Sequence, residues 1–358
     1  MIVGIVTQPL YANYGGILQN YALQQVLKKM GHTPITLDYM PSLSFWRYVL
    51  YAGKNVLCSI FQSKRHPIKP YHRFLERPDA IDEFVRNNID KTRTIPQYSK
   101  SVLRKNGIEA IIVGSDQVWR YAYNTNVFED MFLAFASDYP VRKIAYAASF
   151  GVEKWDYPEV MTEKARSLAK LFDGISVRED SGVALCREKL MVEAKTVLDP
   201  TLLLDVSDYE KFCRSPHPEE EPYLAAYVLD LNEDKIAYIN SVANTLNLKV
   251  RQMTVSDKGE PVEEWLSTIR NAEFVITDSY HGSLFSIIFE KQFCTIANKE
   301  RGADRFNTLF SKLGLEERLM DRVLPEQSPV GSIDYVRVNQ ELCQLKEGSF
   351  SFIKNTLN

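Results

Sequence analysis

The feature that most constrains this chain is an alternation of strand-like and helix-like stretches that runs once, breaks, and then restarts. In the first run, Ile2–Thr7, Thr33–Tyr39, Ala110–Val113, Lys143–Ala148, Asp173–Val177 and Lys195–Leu198 are short, apolar and rich in β-branched residues, as buried parallel strands are. Helical spacing separates them at Gly16–Met30, Tyr71–Asn88, Gln97–Asn106, Glu159–Phe172 and Asp180–Leu190. Cys213–Pro222, with its prolines and the acidic run Glu219–Glu221, reads as a solvated connection. The second run has strands at Tyr223–Val228, Leu248–Met253, Ala272–Thr277 and Gln292–Ala297, with helices at Asp234–Leu246 and Val262–Asn271. Two such runs predict an α/β protein of two Rossmann-like, doubly wound domains facing a cleft. The expected division is residues 1–206, with an insertion at about 41–73, then 207–333, then a helical segment 334–358 packing back on the first domain.

The stretch Ala272–Phe289 (AEFVITDSYHGSLFSIIF) is the most informative turn. A strand ends at Thr277, Asp278 and Ser279 break the apolar run, and helical spacing resumes with a helix expected near Ser283. His281 and Ser283 then stand at the mouth of a helix start, where free N–H groups and the dipole suit an anion. At the carboxyl edge of an open sheet, this is where ligands bind.

Four turns in the first run also carry polar groups. Asn13-Tyr14-Gly15-Gly16 leads into a helix, and paired glycines allow close backbone approach, although plain turn chemistry explains them equally well. Ser115-Asp116-Gln117 could read sugar hydroxyls with Trp119 stacking on a ring; the alternative is a helix cap and a buried indole. Ser149-Phe150-Gly151 is a small-residue turn. Arg178 leaves a strand where a helix begins, placed to hold a carboxylate or phosphate in two-point fashion or to pair with Glu179 or Asp199.

Composition narrows the classes. A net charge of −3 argues against nucleic acid as the main partner. Five scattered cysteines without C-x-x-C spacing suggest reduced thiols in the cytoplasm, and the five histidines show no metal-ligand spacing. MIVGIVTQPL reads as a first strand rather than a signal peptide, and no apolar run is long enough to span a bilayer. Leu43–Phe61 is apolar and aromatic, with Lys64, Arg65, Lys69 and Arg73 following. It reads as a helical insertion packed on the domain, or as a helix lying peripherally in the inner membrane interface.

Taken in order, Asn13-Tyr14-Gly15-Gly16-Ile17-Leu18-Gln19, Val113-Gly114-Ser115-Asp116-Gln117-Val118-Trp119, Ser149-Phe150-Gly151, Ser176-Val177-Arg178-Glu179-Asp180, Leu198-Asp199-Pro200-Thr201-Leu202 and Thr277-Asp278-Ser279-Tyr280-His281-Gly282 resemble the polysaccharide pyruvyl transferase family. The resemblance implies a GT-B-like pair of domains and transfer of a pyruvyl group from phosphoenolpyruvate to two hydroxyls of a sugar, leaving a cyclic ketal. By similarity, His281 is the acid/base residue and Arg178 holds phosphoenolpyruvate, together with Ser279, Gly282 and Ser283 at the helix start. Better-studied members carry an arginine shortly before the histidine, where this chain has Ser279-Tyr280. A second cation then comes from Arg305 or Arg301. Asn13, Tyr14, Gly15, Gly16, Ser115, Asp116, Gln117, Trp119, Ser149 and Asp278 are expected to line the cleft or the acceptor site. The acceptor sugar is lipid-linked or nucleotide-linked, and no metal or organic cofactor is expected. The rival readings are a GT-B glycosyltransferase using a nucleotide sugar and a glycan-binding relative without turnover.

Overall fold

The computed structural model describes residues 1–41, 49, 77–215, 221–253, 260–298, 302–324 and 331–358. Apart from position 49, the Leu43–Phe61 segment, its basic neighbours and Arg301 lie outside the described residues, as do residues 216–220 of the Cys213–Pro222 connection.

The first sheet contains β1 (Ile2–Val6), β2 (Thr33–Thr36), β3 (Ala110–Val113), β4 (Arg142–Ala148), β5 (Gly174–Val177) and β6 (Lys195–Thr196). All pairings are parallel and the order is β2-β1-β3-β4-β5-β6. β3 is buried along its whole length, which is why its sequence is a continuous apolar run instead of an alternation. Helices α1 (Tyr14–Lys29), α2 (Asp79–Asn88), α3 (Lys100–Lys105), α4 (Glu159–Ala169) and α5 (Asp180–Leu185) connect the strands.

The second sheet contains β7 (Tyr223–Tyr227), β8 (Lys249–Gln252), β9 (Phe274–Thr277), β10 (Gln292–Ile296) and β11 (Leu319–Met320), again all parallel, in the order β11-β10-β9-β7-β8. Its helices are α6 (Glu233–Leu246), α7 (Val262–Asn271), α8 (Tyr280–Ile288) and α9 (Asp304–Leu313). Read from each sheet's first strand, the two orders repeat one winding. β1 lies between β2 and β3 as β7 lies between β8 and β9. Each sheet therefore has its topological switch point beside its first strand, between β1 and β3 and between β7 and β9.

The long helix α10 (Tyr335–Leu357) crosses back to the first sheet. Leu198 N donates to Ser349 Oγ (3.0 Å), and Arg142 Nη2 donates to the Asn358 carbonyl (2.6 Å). One continuous core cluster holds α1, α8, α9 and α10 together, so the two sheets share buried surface.

The helix after β9 starts three residues before the expected Ser283, at Tyr280. Ser279 explains the difference. Its hydroxyl accepts from Gly282 N (3.3 Å) and caps the helix there, which places His281 in the first turn. The strand expected at Lys195–Leu198 is shorter, Lys195–Thr196: Val197 N still donates to the Val177 carbonyl (2.9 Å), but Leu198 N turns to Ser349 Oγ and the 3-10 turn at Pro200–Leu203 follows.

Candidate active site

The two switch points face each other across a cleft of about 490 Å³. Loops after β1, β3, β7 and β9 all reach it, contributing Asn13, Asp116 and Gln117, Leu229, and Ser279 to His281, while α9 adds Arg305. The cleft is thus built where winding reverses in both sheets, the place that opens a crevice between diverging loops.

His281 is 7% exposed. Its Nε2 is buried and lies 3.5 Å from Asp199 Oδ2, at the outer limit of hydrogen-bond distance, with no closer polar partner among the described residues. Against the other side of the ring stands Gly15, the first glycine of α1. The glycine pair after β1 therefore permits close approach, but Gly15 admits the imidazole and not a ligand. The second of the pair, Gly16, packs beside Asn13 and Asp116. Asn13 Nδ2 donates to Asp116 Oδ2 (2.9 Å), and Asp116 Oδ1 accepts from Gln117 N (2.8 Å). Asp116 holds a left-handed backbone (φ 76°), which aspartate tolerates better than most residues, and so turns its carboxylate toward the cleft.

Behind the cleft lies a buried charge network. Arg178 has no exposed side-chain surface and sits 3.1 Å from Asp199, 3.5 Å from Asp116 and 3.8 Å from Glu179. Of the two roles suggested for it, the structure displays the salt bridge; Arg178 does not line the cleft. Burial lowers the Arg178 pKa, but Asp116 and Asp199 overcome it and the net direction is upward. Burial alone would push the Asp199 carboxyl up; the hydrogen bond and charge of His281, with Arg178, hold it well below the usual carboxylate range. Glu179 accepts from the N–H groups of Phe150 (2.7 Å) and Gly151 (3.3 Å), and burial outweighs these contacts and raises its pKa.

Arg305 differs from Arg178 in having no carboxylate within ion-pair distance among the described residues. It is 7% exposed and lines the cleft beside His281. Its guanidinium and that of Arg178 both stack on Tyr280, at 5.2 Å and 4.8 Å from the ring centroid. Burial, then the Arg178 charge, bring the Arg305 pKa down to about 10, which leaves it cationic at neutral pH.

Several residues expected at the cleft stand elsewhere, each for a visible reason. Trp119 is fully buried, stacked on Phe132 at 4.8 Å, and its indole N–H donates to the Met131 carbonyl. Ser115 is buried and donates to Asp199 Oδ2 (2.7 Å). Ser149 is buried and accepts from Gly151 N (3.1 Å). Asp278 is buried and accepts from Leu229 N, Asp230 N and Lys235 Nζ, tying the loop after β7 to β9. Tyr14 stacks on Trp265 and its hydroxyl bonds the backbone of Glu260, which joins the two halves. Ser283 bonds Thr295 (2.7 Å) on the sheet side of α8, and Gly282 packs on Thr277 and Tyr227. Ser279 lines the cleft, with its hydroxyl committed to the helix cap. In place of Trp119, the tyrosines lining the cleft among the described residues are Tyr11, the half-exposed Tyr123 and the buried Tyr280. The sequence offers Asp199 only as a partner for Arg178 and as part of the Leu198–Leu202 motif; its place beside His281 carries no sequence signal.

Two parallel sheets of the same winding, meeting at their switch points over a charged cleft, define the class: a GT-B-like fold of two Rossmann-like halves. The chain belongs to the polysaccharide pyruvyl transferase family, whose model matches residues 13–300, and it is a transferase. No curated protein matches it in sequence. Solved structures with a similar trace include a UDP-GlcNAc 2-epimerase from Neisseria meningitidis bound to UDP-GlcNAc (11% identity, 100% of this chain and 99% of that one, TM-score 0.45). Another is a UDP-GlcNAc 2-epimerase from Methanocaldococcus jannaschii (10% identity, 96% and 92%, TM-score 0.47). A third is the spinosyn rhamnosyltransferase SpnG with spinosyn aglycone (9% identity, 100% and 92%, TM-score 0.40). Among the described residues, no helix is long and apolar enough to cross a membrane.

Proposed function

We propose that this transferase moves a pyruvyl group from phosphoenolpyruvate to two hydroxyls of one sugar, forming a cyclic ketal and releasing phosphate. The observation that carries the reading is the pairing, in one cleft, of His281 with the buried Arg305 guanidinium, which has no carboxylate within ion-pair distance among the described residues. A buried cation without a counter-ion costs free energy unless a ligand supplies the charge. Phosphoenolpyruvate brings a carboxylate and a phosphate, and Arg305 offers a planar fork to either.

His281 would deliver a proton to the methylene carbon of the donor, making the adjacent carbon electrophilic. One sugar hydroxyl attacks that carbon, the bond to phosphate breaks, and a second hydroxyl closes the ketal. Of the two hydroxyl protons, one replaces the proton given to carbon and the other leaves with phosphate. A positioned acid/base of this kind contributes ~10²–10⁴-fold. Tyr11 and Tyr123 offer ring faces for the sugar, and Asn13, Asp116 and Gln117 offer hydrogen bonds to its hydroxyls. The reading assigns no metal or organic cofactor, and it leaves open whether a lipid or a nucleotide carries the acceptor.

The test is a thermal-shift panel of phosphoenolpyruvate, nucleotide sugars and nucleotides, followed by phosphate release with candidate acceptors. A ligand at a hundred times its dissociation constant stabilises by ~2.7 kcal/mol, enough to see. Stabilisation by a nucleotide sugar and none by phosphoenolpyruvate would replace the reading with glycosyl transfer.

A further inference from the structure

We infer that Asp199 is the positioning residue of His281: its carboxylate receives the Nε2–H and leaves Nδ1 as the nitrogen that works in the cleft. The inference rests on His281 as the acid/base residue of the proposed reaction.

Asp199 cannot turn away. Oδ1 accepts from Thr201 N (3.0 Å) and Thr201 Oγ1 (2.8 Å). Oδ2 accepts from Ser115 Oγ (2.7 Å) and Arg178 Nη1 (3.1 Å) and faces His281 Nε2 at 3.5 Å. The side chain has no exposed surface. Both oxygens are thereby fixed in direction before the histidine is considered.

His281 is fixed from the other side. Gly15 touches the ring at Nδ1 and Cγ, so the imidazole is clamped between a backbone on α1 and a carboxylate following β6. A buried Nε2 with no second partner is most stable as a donor to that carboxylate, because a buried polar atom left unpaired costs ~1–3 kcal/mol. With Nε2 protonated, the neutral ring presents its lone pair at Nδ1. The charged groups around the ring are few. Asp199 faces Nε2, with Arg178 behind that carboxylate; Asp116 and Arg305 line the same cleft, and Tyr280 precedes the ring on α8. From α1 the contact is the bare backbone of Gly15. Among the described residues, Asp199 is thus the carboxylate within ion-pair distance of the ring, placed to stabilise the imidazolium that forms when Nδ1 takes a proton. It comes from the first half of the chain and His281 from the second, so the pair exists only when both halves are seated together.

The test is nitrogen NMR on the full chain labelled at histidine, with the His281 signal identified by its loss in His281→Asn. Above its titration, the wild-type ring should carry its proton on Nε2 and show a bare Nδ1. In Asp199→Asn, which takes away the carboxylate acceptor, the ring should lose this preference and populate the Nδ1–H tautomer. A proton on Nδ1 in the wild type overturns the inference, as does an unchanged tautomer in a variant that melts like the wild type. Should Asp199→Asn fail to fold, the wild-type tautomer decides alone. Neither reading requires phosphoenolpyruvate. A chain that ignores that donor yet keeps Nε2–H loses the proposed reaction and keeps the positioning; one that turns over the donor with the other tautomer does the reverse.

Discussion

A methyl group on Gly15 would sit 2.0 Å from Nδ1 of His281 and 2.3 Å from its Cγ. These two residues come from helices that begin at opposing switch points, and their contact sets where the imidazole can stand.

Gly15→Ala should therefore displace the ring, because a rigid imidazole held by Asp199 cannot step aside without leaving its place. A misplacement of about 1 Å costs ~10²-fold in rate, and overpacking costs ~1–3 kcal/mol in stability. Turnover is expected to fall by about that factor while the donor dissociation constant stays within a few-fold. Gly16→Ala should be milder, since its Cβ would meet Asn13 Nδ2 at 3.0 Å and Asp116 at 3.4 Å. Phosphate-release kinetics and melting of the two variants side by side decide it; wild-type turnover in Gly15→Ala would show that the ring does not work from this position.

His281→Asn keeps size and some hydrogen bonding but cannot move a proton near neutral pH. Donor affinity should persist while turnover falls by about two orders of magnitude or more. Full turnover in this variant would make His281 structural, and Asp116, the carboxylate that lines the cleft, would be the next acid to test.

The strands were legible because each is a buried apolar run, and the turns because polar residues interrupt those runs at the carboxyl edge. Which turn residue faces the cleft was not legible. Ser115 and Asp278 are hydrophilic side chains in suggestive places, yet each turns inward to a buried partner on a distant element, while Ser149 turns to the Gly151 N–H within its own turn. Trp119 reads equally as a stacking platform or a core residue, and only the aromatic cluster with Phe132 and Phe150 decides for the core. Arg178 and Arg305 are indistinguishable by residue type; the carboxylates within ion-pair distance of each separate them, and the three around Arg178 follow three different strands. Asp199 was legible as a salt-bridge partner of Arg178 but not as a neighbour of His281, because that approach depends on how the two halves meet.

Asp130 should make stability fall with rising pH. Burial, then the neighbouring Glu129, raise its carboxyl to about 6 in the folded chain. A folded pKa above the unfolded value means that the folded state holds the proton more tightly. The contribution is therefore full below about pH 4 and lost as pH rises through about 6. Asp130→Asn removes the charge and should raise the melting temperature at pH 7.5 but hardly at pH 4.5. Because the group is half-exposed, solvent screening limits the gain to ~1 kcal/mol, or about 1–3 °C. Equal shifts at both pH values would show that packing, and not titration, is responsible.

Arg178 and Arg305 should fail in different ways when removed. Arg178→Ala leaves Asp116, Glu179 and Asp199 around an empty site, with Glu179 and Asp199 almost wholly buried. Breaking a buried pair in this fashion costs ~3–5 kcal/mol, so the variant should melt early whatever the donor does. Arg305 stacks on Tyr280 but forms no ion pair with a carboxylate among the described residues, so Arg305→Ala should melt close to wild type. Its loss should appear in donor binding, where a charged hydrogen bond of ~1.5–3 kcal/mol corresponds to roughly ten- to hundredfold in affinity. Arg305→Lys should restore part of that affinity, since an ammonium keeps the charge without the planar fork. Calorimetric titration with phosphoenolpyruvate, after melting curves on each variant, separates the two roles. If Arg305→Ala binds the donor normally while a folded Arg178 variant does not, the donor is held by Arg178 as the family resemblance implies. The carboxylates around Arg178 would then have to yield it to the ligand, and Arg305 would keep only its stacking on Tyr280.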